Sequence, residues 1–467
     1  MSAYTALFVF CAGVAGLFYL DRDHAAKPSR ALWLPVTWFL ILGSRPVSVW
    51  LGLSSGQPNA QDYLEGSPLD AAVFGILLVL ALFVAWRRRS AVKVILRRAW
   101  PVPLYFAFCL LSVAWSDFTD ISFKRWIKAL GDLVMVLVIV SDAEPLAALQ
   151  RFFSRTGFLL LPFSVLLIKY YGNLGRSYDR WTGMAFNTGV TTNKNTLGAV
   201  TWLLALGALW QLLLLVRDRQ RDGRKRRIVA QATLVLFGLA LLGMAHSATS
   251  GAVFAIGCIV AAPASLFAFK KSAAAHALVI VLLLCGGAAL YFSGEAGVTQ
   301  ALGRHENLTG RTAIWAYVIP MNPNPLLGAG FESFWLGSRL QRVWAHFPSL
   351  HVNEAHDGYI EAYLELGWMG VALIALILLV AYRRITAAWS YRPRAAGLML
   401  GYLVALALYN ISEAGFRLLS PTWFFLLLVI CTASHIPRAA APDSAGAQLA
   451  DAKAQTLAAP VLPGGAA

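Results

Sequence analysis

Residues 353–382 read NEAHDGYIEAYLELGWMGVALIALILLVAY, and this stretch decides the fold class. Its second half is almost wholly apolar, and a helix needs roughly 20 such residues to cross the hydrocarbon core of a bilayer. Its first half places His356 among carboxylate and amide side chains. The stretch therefore predicts a membrane-spanning helix with a titratable cluster at one of its ends.

Apolar runs of similar length recur along almost the whole chain. Hydrophobic residues make up 58% of the 467 residues, charged residues make up 13%, and the mean hydropathy is +0.62. These values exclude an ordinary soluble protein and indicate a polytopic membrane protein. The predicted spans lie near residues 4–20, 31–52, 68–86, 101–115, 126–141, 157–171, 196–216, 228–245, 250–269, 276–293, 359–382, 395–411 and 420–435. We therefore predict an all-α fold, a transmembrane helical bundle of about 12–13 spans.

The net charge of +16 is concentrated in four short connections. Their basic residues are Arg87, Arg88, Arg89, Lys93, Arg97 and Arg98; Arg217, Arg219, Arg221, Arg224, Lys225, Arg226 and Arg227; Lys270 and Lys271; and Arg383, Arg384, Arg392 and Arg394. With thirteen spans these connections share one side of the membrane, which the positive-inside rule makes cytoplasmic. The excess charge thus reports topology and does not predict a nucleic-acid partner.

The same topology places two long connections, residues 172–195 and 294–358, on the outer side. Both are rich in Gly, Asn and Pro, and long ordered loops of this kind are usually functional. The larger one contains GRTAIWAYVIP with helical spacing and then an NPNP turn, so we expect a small helical cap. The predicted parts are a bundle at 1–293, the external segment at 294–358, C-terminal helices at 359–436 and a disordered cytoplasmic tail at 437–467.

His356 and the acids that follow it are the first candidates for chemistry. Asp357, Glu361 and Glu365 recur at every fourth position, so they form one stripe on a helix. An imidazole is suited to accept a proton at neutral pH, and carboxylates at a membrane edge normally face a partner or water. Two alternatives remain open: the histidine serves as a helix cap or surface residue, and the acids form a structural network between helices. His346 and His351 precede the motif and are alternative bases.

Four cations on the predicted outer side form the second group of candidates. Arg176, Arg180 and Lys194 lie in the smaller external loop, and Arg311 lies in the larger one. Guanidinium groups stay charged and bind phosphate with two parallel hydrogen bonds, which suits a pyrophosphate site. The alternative is ordinary surface ion pairing, for example of Arg180 with Asp179. All five cysteines lie inside apolar runs without metal-ligand spacing, so neither a metal nor another cofactor is predicted.

Taken together, six blocks resemble the O-antigen ligase and O-antigen polymerase superfamily, and within it the exopolysaccharide polymerisation branch. They are VAWSDFTDISFKRWIK (113–128), DRWTGMAFNTGVTTNKNTLG (179–198), HSATSGAVFAIG (246–257), GRTAIWAYVIPMNPNPLLGAGFESFW (310–335), NEAHDGYIEAYLELGWMG (353–370) and YNISEAGF (409–416). The fourth and fifth blocks, separated by a loop and followed by an apolar helix, are the most specific.

The resemblance implies an inverting, metal-independent glycosyltransferase of the bacterial inner membrane, with its active site on the periplasmic face. The implied donor is a glycan on undecaprenyl pyrophosphate. His356 matches the family's catalytic histidine, a general base for the acceptor hydroxyl. Arg311 and Arg180 match its external arginines, which are implied to hold the pyrophosphate.

Three functions remain open from the sequence. The first is a polymerase that joins repeat units of an exopolysaccharide or O-antigen, acting with a flippase and a chain-length regulator. The second is a ligase that transfers finished glycan to lipid A core or protein. The third is a secondary transporter for a small anion, although the chain lacks evident inverted repeats.

Overall fold

A computed structural model of the chain describes residues 2–23, 27–53, 66–178, 185–218, 223–266, 273–292, 309–348 and 352–435. The first nine helices are α1 (Ala3–Leu20), α2 (Trp33–Leu42), α3 (Val47–Trp50), α4 (Pro68–Arg87), α5 (Arg89–Arg98), α6 (Pro101–Ser112), α7 (Thr119–Val140), α8 (Pro145–Tyr170) and α9 (Gly172–Gly175). The others are α10 (Lys194–Arg217), α11 (Arg224–Ala245), α12 (Ala248–Leu266), α13 (Ala273–Phe292), α14 (Thr309–Val318), α15 (Gly337–His346), α16 (Gly358–Ala388), α17 (Pro393–Tyr409) and α18 (Pro421–His435). Short 3-10 turns occupy Arg30–Leu32, Val113–Trp115 and Ile319–Met321.

The predicted all-α, polytopic bundle is confirmed. Among the described helices, six are long and apolar enough to cross a membrane, and a seventh span results if α5 and Pro101–Trp115, bent by 87°, count as one. Five further apolar helices are shorter. Each of the thirteen predicted runs overlaps a described helix. The number of spans stays a prediction, because α7 and the shorter helices do not meet the criterion of length and composition.

The bundle is held by interlocked aromatic rings and by close contacts between small residues. The fully buried rings of Phe39 and Phe152 lie 5.4 Å apart, and Phe39 also lies 5.3 Å from Phe424. The most extensive described contact joins α12 and α17, where a Cβ on Gly401 would lie 2.9 Å from the carbonyl oxygen of Gly257. Small residues allow such close approach of helix backbones inside a membrane, where lipid is as apolar as the side chains.

Helix α16 is broken at Gly367, whose φ of 63° and ψ of −164° are not helical. The break releases backbone groups that an unbroken helix would pair internally. Trp368 N–H donates to the carbonyl of Pro325 at 2.9 Å, and the carbonyl of Leu364 accepts from Ala329 N–H at 3.0 Å. Residues 322–330, here called the docking segment, therefore complete the hydrogen bonding of a membrane helix.

Glycines make this contact possible. The backbone of Gly328 has a φ of +71°, and a Cβ there would lie 2.4 Å from the carbonyl oxygen of Glu365. A Cβ on Gly367 would lie 2.2 Å from the carbonyl carbon of Leu326. Only glycine fits both the left-handed conformation and the contact distance.

The external segment has a small hydrophobic core of its own. Its buried members are Ile314, Val318, Ala329, Phe334, Trp335, Leu340, Val343, Val352, Ala355 and Leu364. This core joins α14 and α15 to the first turns of α16. Residues 294–308 and 349–351 of the segment, and the predicted tail at 437–467, lie outside the described residues.

The smaller external loop is fixed on the bundle by Arg45. In its described parts, the antiparallel strands β1 (Arg176–Tyr178) and β2 (Ala185–Asn187) form a short hairpin. The guanidinium of Arg45 donates to the carbonyl of Leu174 before the hairpin, and to that of Thr191 after it at 3.0 Å. This bracing positions the N-terminus of α10.

Candidate functional site

A cavity of ≈ 550 Å³ lies where α10, α14, the segment before α16 and the loop between α17 and α18 meet. The lining side chains that carry charge or hydrogen-bonding capacity include Asn193, Lys194, Asn195, Arg311, Glu354, His356 and Glu413. Three of the predicted site residues, Lys194, Arg311 and His356, thus share one cavity although they are far apart in the sequence.

His356 sits at a sharp turn just before α16. Its φ of 53° lies in the left-handed region, which a non-glycine residue adopts only at a cost. The turn brings Nδ1 within 2.9 Å of Oε1 of Glu354, and the side chain remains 32% exposed. With Nδ1 on the carboxylate, Nε2 is the ring nitrogen available to the cavity.

The carboxylate of Glu354 is shared between His356 and Arg417. Oε2 of Glu354 accepts from Nη1 of Arg417 at 3.1 Å. Burial disfavours an ionised Glu354, but its contacts with His356 and Arg417 outweigh burial and lower its pKa to about 2. Burial also disfavours the imidazolium of His356, yet the charges and contact of Glu354, with Glu413 beyond, raise the pKa of His356. The pair therefore resembles the carboxylate–histidine pairs that orient and strengthen a general base.

Arg311, which also lines the cavity, is held by the loop after α17. Nη1 donates to the carbonyl of Ser412, and Nη2 donates to Oε1 of Glu413 at 3.1 Å. Nδ2 of Asn195 donates to the other oxygen of Glu413 at 3.1 Å. A guanidinium has five N–H donors, so these two bonds orient Arg311 and leave further donors for an anion.

The N-terminus of α10 adds positive potential to the same cavity. Asn193 caps this helix, because its Oδ1 accepts from Thr196 N–H at 2.7 Å. Lys194 is the first residue of the 24-residue helix and lines the cavity. Helix N-termini attract anions through unpaired N–H groups and the helix dipole, and a lysine there reinforces the effect.

The three predicted supporting acids have structural partners. Asp357 caps α16 by accepting from Tyr359 N–H and Ile360 N–H, both at 2.8 Å. Glu361 accepts from the indole of Trp335 at 2.8 Å and from Ala355 N–H at 2.5 Å.

Glu365 accepts from the backbone N–H groups of Ser333 and Phe334, at 2.7 and 3.3 Å. Like Glu361, it therefore joins the external segment to α16. The sequence left open a structural network between helices. The structure shows hydrogen bonds from α16 to the external segment at these two acids.

The remaining predicted phosphate ligands are Arg176 and Arg180. Arg176, on strand β1, donates from Nε to the carbonyl of Ile168 at 3.0 Å and does not line the cavity in the described part of the chain. Arg180 lies outside the described residues. Their roles stay predictions.

Sequence reasoning missed the residues that hold His356 and Arg311 in place. Glu354 lies before the helix, so the spacing of four that singled out the other acids excluded it. Glu413 lies in the YNISEAGF block and Asn195 in the TTNKNTLG stretch, and a polar residue between apolar runs was the available signal for both. Within the described residues, no group of three or more His, Cys, Asp or Glu side chains is arranged to hold a metal ion.

Comparison with known proteins gives two matches. The sequence model of the family described as O-Antigen ligase matches residues 232–375, which include Arg311, Glu354 and His356. The chain is also 26% identical over 286 residues to the exopolysaccharide production protein ExoQ of Rhizobium meliloti (strain 1021). That match covers 59% of this chain and 62% of the relative, which is less than two thirds of the relative's length. Together with the six blocks, these matches make the chain similar to members of the O-antigen ligase and O-antigen polymerase superfamily.

Proposed function

We propose that this protein is a glycosyltransferase of the bacterial inner membrane that polymerises glycan repeat units of an exopolysaccharide or O-antigen on the periplasmic face. The proposed donor is a glycan on undecaprenyl pyrophosphate. One observation carries the proposal: His356, with Glu354 on its Nδ1, and Arg311 line the same cavity. A base and an anion-binding group facing one space are what transfer from a pyrophosphate donor requires.

In this reaction the acceptor hydroxyl attacks the anomeric carbon of the donor. The new glycosidic bond forms as the bond from that carbon to the pyrophosphate oxygen breaks, so the configuration inverts. Nε2 of His356 takes the hydroxyl proton and later releases it to water. Undecaprenyl pyrophosphate leaves with the bonding electrons.

The leaving group needs charge stabilisation, and two elements of the chain supply it. Arg311 on α14 and Lys194 at the N-terminus of α10 both line the cavity. Fixed donors and charges placed where negative charge develops lower the barrier without reorganising during the reaction. Pyrophosphate is already a good leaving group, so positioning and neutralisation suffice without a metal ion.

A ligase is the second candidate, because the matching family is described as O-Antigen ligase. The relative named for exopolysaccharide production favours polymerisation. The transporter is disfavoured, although α16 is a broken helix such as transporters use at substrate sites. Its freed carbonyl of Leu364 and N–H of Trp368 are bonded to the docking segment, so this part of the break is not open to a substrate.

The test is a His356→Ala variant in a deletion strain and in purified form with lipid-linked repeat units. Loss of a general base costs about 100- to 10,000-fold in rate, so we expect polymer to disappear from gels of the product. His346→Ala is the matched control, because His346 stacks on Tyr317 at 4.0 Å and does not line the cavity. Normal polymer from His356→Ala present at wild-type level would refute the proposed base.

The same strain separates polymerase from ligase. Loss of long chains, with single repeat units still displayed at the surface, supports polymerisation. Loss of all surface-attached glycan supports ligation instead.

A further inference from the structure

A second cavity, of ≈ 570 Å³, lies at the other end of α8 from the external loop 172–195. We call it the basic cavity. The positive-inside rule places it at the cytoplasmic face, so it is separate from the proposed active site. Its charged lining residues are Asp21, Arg22, Lys27, Arg30, Arg151 and Arg155.

Asp21 and Asp23, the acids around the basic cavity, form ion pairs with Arg151 and Arg227. Asp21, its one lining carboxylate among the described residues, lies 3.3 Å from Arg151 and 3.6 Å from Arg227. Asp23 lies 2.6 Å from Arg227. Five of the charged lining side chains are cations and one is a carboxylate, so the cavity keeps an excess of positive charge even though Asp21 pairs with the lining Arg151.

The segment that carries two of the cations is fixed in place. Ser29 N–H donates to Oδ2 of Asp142 at 3.2 Å, and Arg88 pairs with the same carboxylate at 3.1 Å. Lys27 and Arg30 flank this anchor and are themselves exposed. The anchor orders the backbone, so binding a ligand here does not require the segment to fold first.

Arg155 is the lining cation of the basic cavity that packs on an aromatic ring. Its guanidinium lies 4.4 Å from the ring centre of Trp33, which holds the planar group against an aromatic face. Nη1 of Arg155 is buried, and within the described part of the chain it has no hydrogen-bond partner. The side chain as a whole is half-buried and lines the basic cavity, so the guanidinium is held at the cavity wall.

One wall of the basic cavity is apolar. Phe18 and Phe158 pack edge to face with ring centres 5.6 Å apart, and Trp33 lines the cavity with them. Phe18 lies one helical turn before Asp21, toward the hydrocarbon side of α1. Cations at the rim and aromatic rings beneath them fit a ligand with a charged head and an apolar body.

We propose that the basic cavity binds the phosphate headgroup of an anionic phospholipid from the leaflet at this face. Arg155 and Arg30 contact the phosphate oxygens, Lys27 and Arg22 add long-range attraction, and the aromatic wall receives the first part of the acyl chains. Anionic lipids are drawn to basic clusters at this face, and a guanidinium fork binds phosphate oxygens. The cationic choline of a zwitterionic lipid is repelled by the same cluster of positive side chains. The site does not depend on the proposed glycosyl transfer.

The test is native mass spectrometry of the full-length chain in detergent, titrated with phosphatidylglycerol or phosphatidylcholine of identical acyl chains. We expect phosphatidylglycerol to bind at least about tenfold more tightly, equivalent to ~1.4 kcal/mol. The double variant Lys27→Gln/Arg30→Gln is expected to remove this preference. Both residues are exposed, so the fold should survive, which an unchanged thermal unfolding midpoint would verify.

The control is Arg383→Gln/Arg384→Gln, which removes the same charge from the same predicted face without touching the basic cavity. An equal loss of binding in both double variants would show general charge attraction and overturn the site. Equal binding of the two lipids would also overturn it. Displacement of phosphatidylglycerol by millimolar inorganic phosphate would identify a soluble phosphate as the ligand and overturn the lipid assignment.

Discussion

At the scale of single residues, the left-handed turn at His356 determines which carboxylate the imidazole contacts. A helical backbone through this position would direct His356 away from Glu354, because residues two apart lie on different sides of a helix. The turn instead places Glu354 on Nδ1 and leaves Glu361 to bind Trp335 and Ala355. The stripe of acids on the helix stabilises the fold, and the acid before the helix contacts the candidate base.

The first prediction concerns the pH dependence of activity in Glu354→Gln. A general base acts when neutral, so activity falls as pH falls through the pKa of His356, which Glu354 raises above its ordinary value. Removing the carboxylate charge should move the acidic limb of the rate profile to lower pH. The rate on the plateau should fall about tenfold or more, because a weaker and less oriented base remains.

This profile is measured on purified protein between pH 5 and pH 9, a range chosen because histidine ordinarily titrates at about pH 6.5. Asp120→Asn is the control, since it removes an exposed carboxylate at the start of α7, which is predicted to lie on the same face. An acidic limb that stays in place in Glu354→Gln would exclude Glu354 as the partner that tunes His356.

The second prediction concerns Arg311. Arg311→Ala should lose activity, and Arg311→Lys should recover little, because an ammonium cannot donate two parallel hydrogen bonds to a phosphate. Arg176→Ala is the comparison, because Arg176 bonds the carbonyl of Ile168 and does not line the described cavity. Rates are measured with lipid-linked repeat units, and near-full activity of the lysine variant would rule out bidentate contact.

Residue types and motif blocks were enough to predict His356, Arg311 and Lys194 as neighbours in one site. Their partners could not be predicted, because Glu354 is selected by a backbone turn and Glu413 by the packing of a distant loop. Glu365 shows the converse. Its charge at a membrane edge left both a chemical role and a structural network open, and the structure gives it the backbone N–H groups of Ser333 and Phe334.

At the scale of elements, sequence periodicity could not predict the backbone hydrogen bonds between α16 and the docking segment. The apolar run from 359 to 382 predicts an unbroken helix, and the glycine at 367 does not by itself indicate a break. The break is stabilised by hydrogen bonds from residues about 40 positions earlier, which lie beyond the reach of any local pattern.

The third prediction tests this contact between α16 and the docking segment with Gly328→Ala. The substitution forces alanine into a left-handed conformation and places its Cβ against the backbone of Glu365, so it should destabilise the protein by about 2 kcal/mol or more. Thermal unfolding in detergent, followed by size-exclusion fluorescence, measures the effect. Gly75→Ala, in α4 with no atom within 4 Å of the added Cβ, should be neutral or slightly stabilising. Equal midpoints for the two variants would contradict the docking contact.

At the scale of the whole molecule, composition and hydropathy were sufficient to predict an all-α membrane bundle, and the structure confirms that class. They could not predict how the helices associate. Contacts such as Gly257 with Gly401 depend on shape between residues far apart in sequence. The membrane orientation remains a prediction from the placement of basic residues.

The fourth prediction tests that orientation by labelling with a membrane-impermeant maleimide in cells with a permeabilised outer membrane. The background replaces Cys11, Cys109, Cys258, Cys285 and Cys431 with alanine. Ser338→Cys, exposed on α15, should be labelled, whereas Ser390→Cys, exposed after α16, should be labelled only after the inner membrane is opened. Labelling of Ser390→Cys in cells with an intact inner membrane would show that the topology is the reverse of the predicted one.

The hydrogen bonds between the docking segment and α16 also limit how this chain can recombine with its relatives. A crossover between residues 330 and 364 would join the docking segment of one parent to the broken helix of the other. The glycines at 328 and 367 would then face backbones that did not evolve with them. Functional chimeras should therefore carry residues 322–369 across as one cassette.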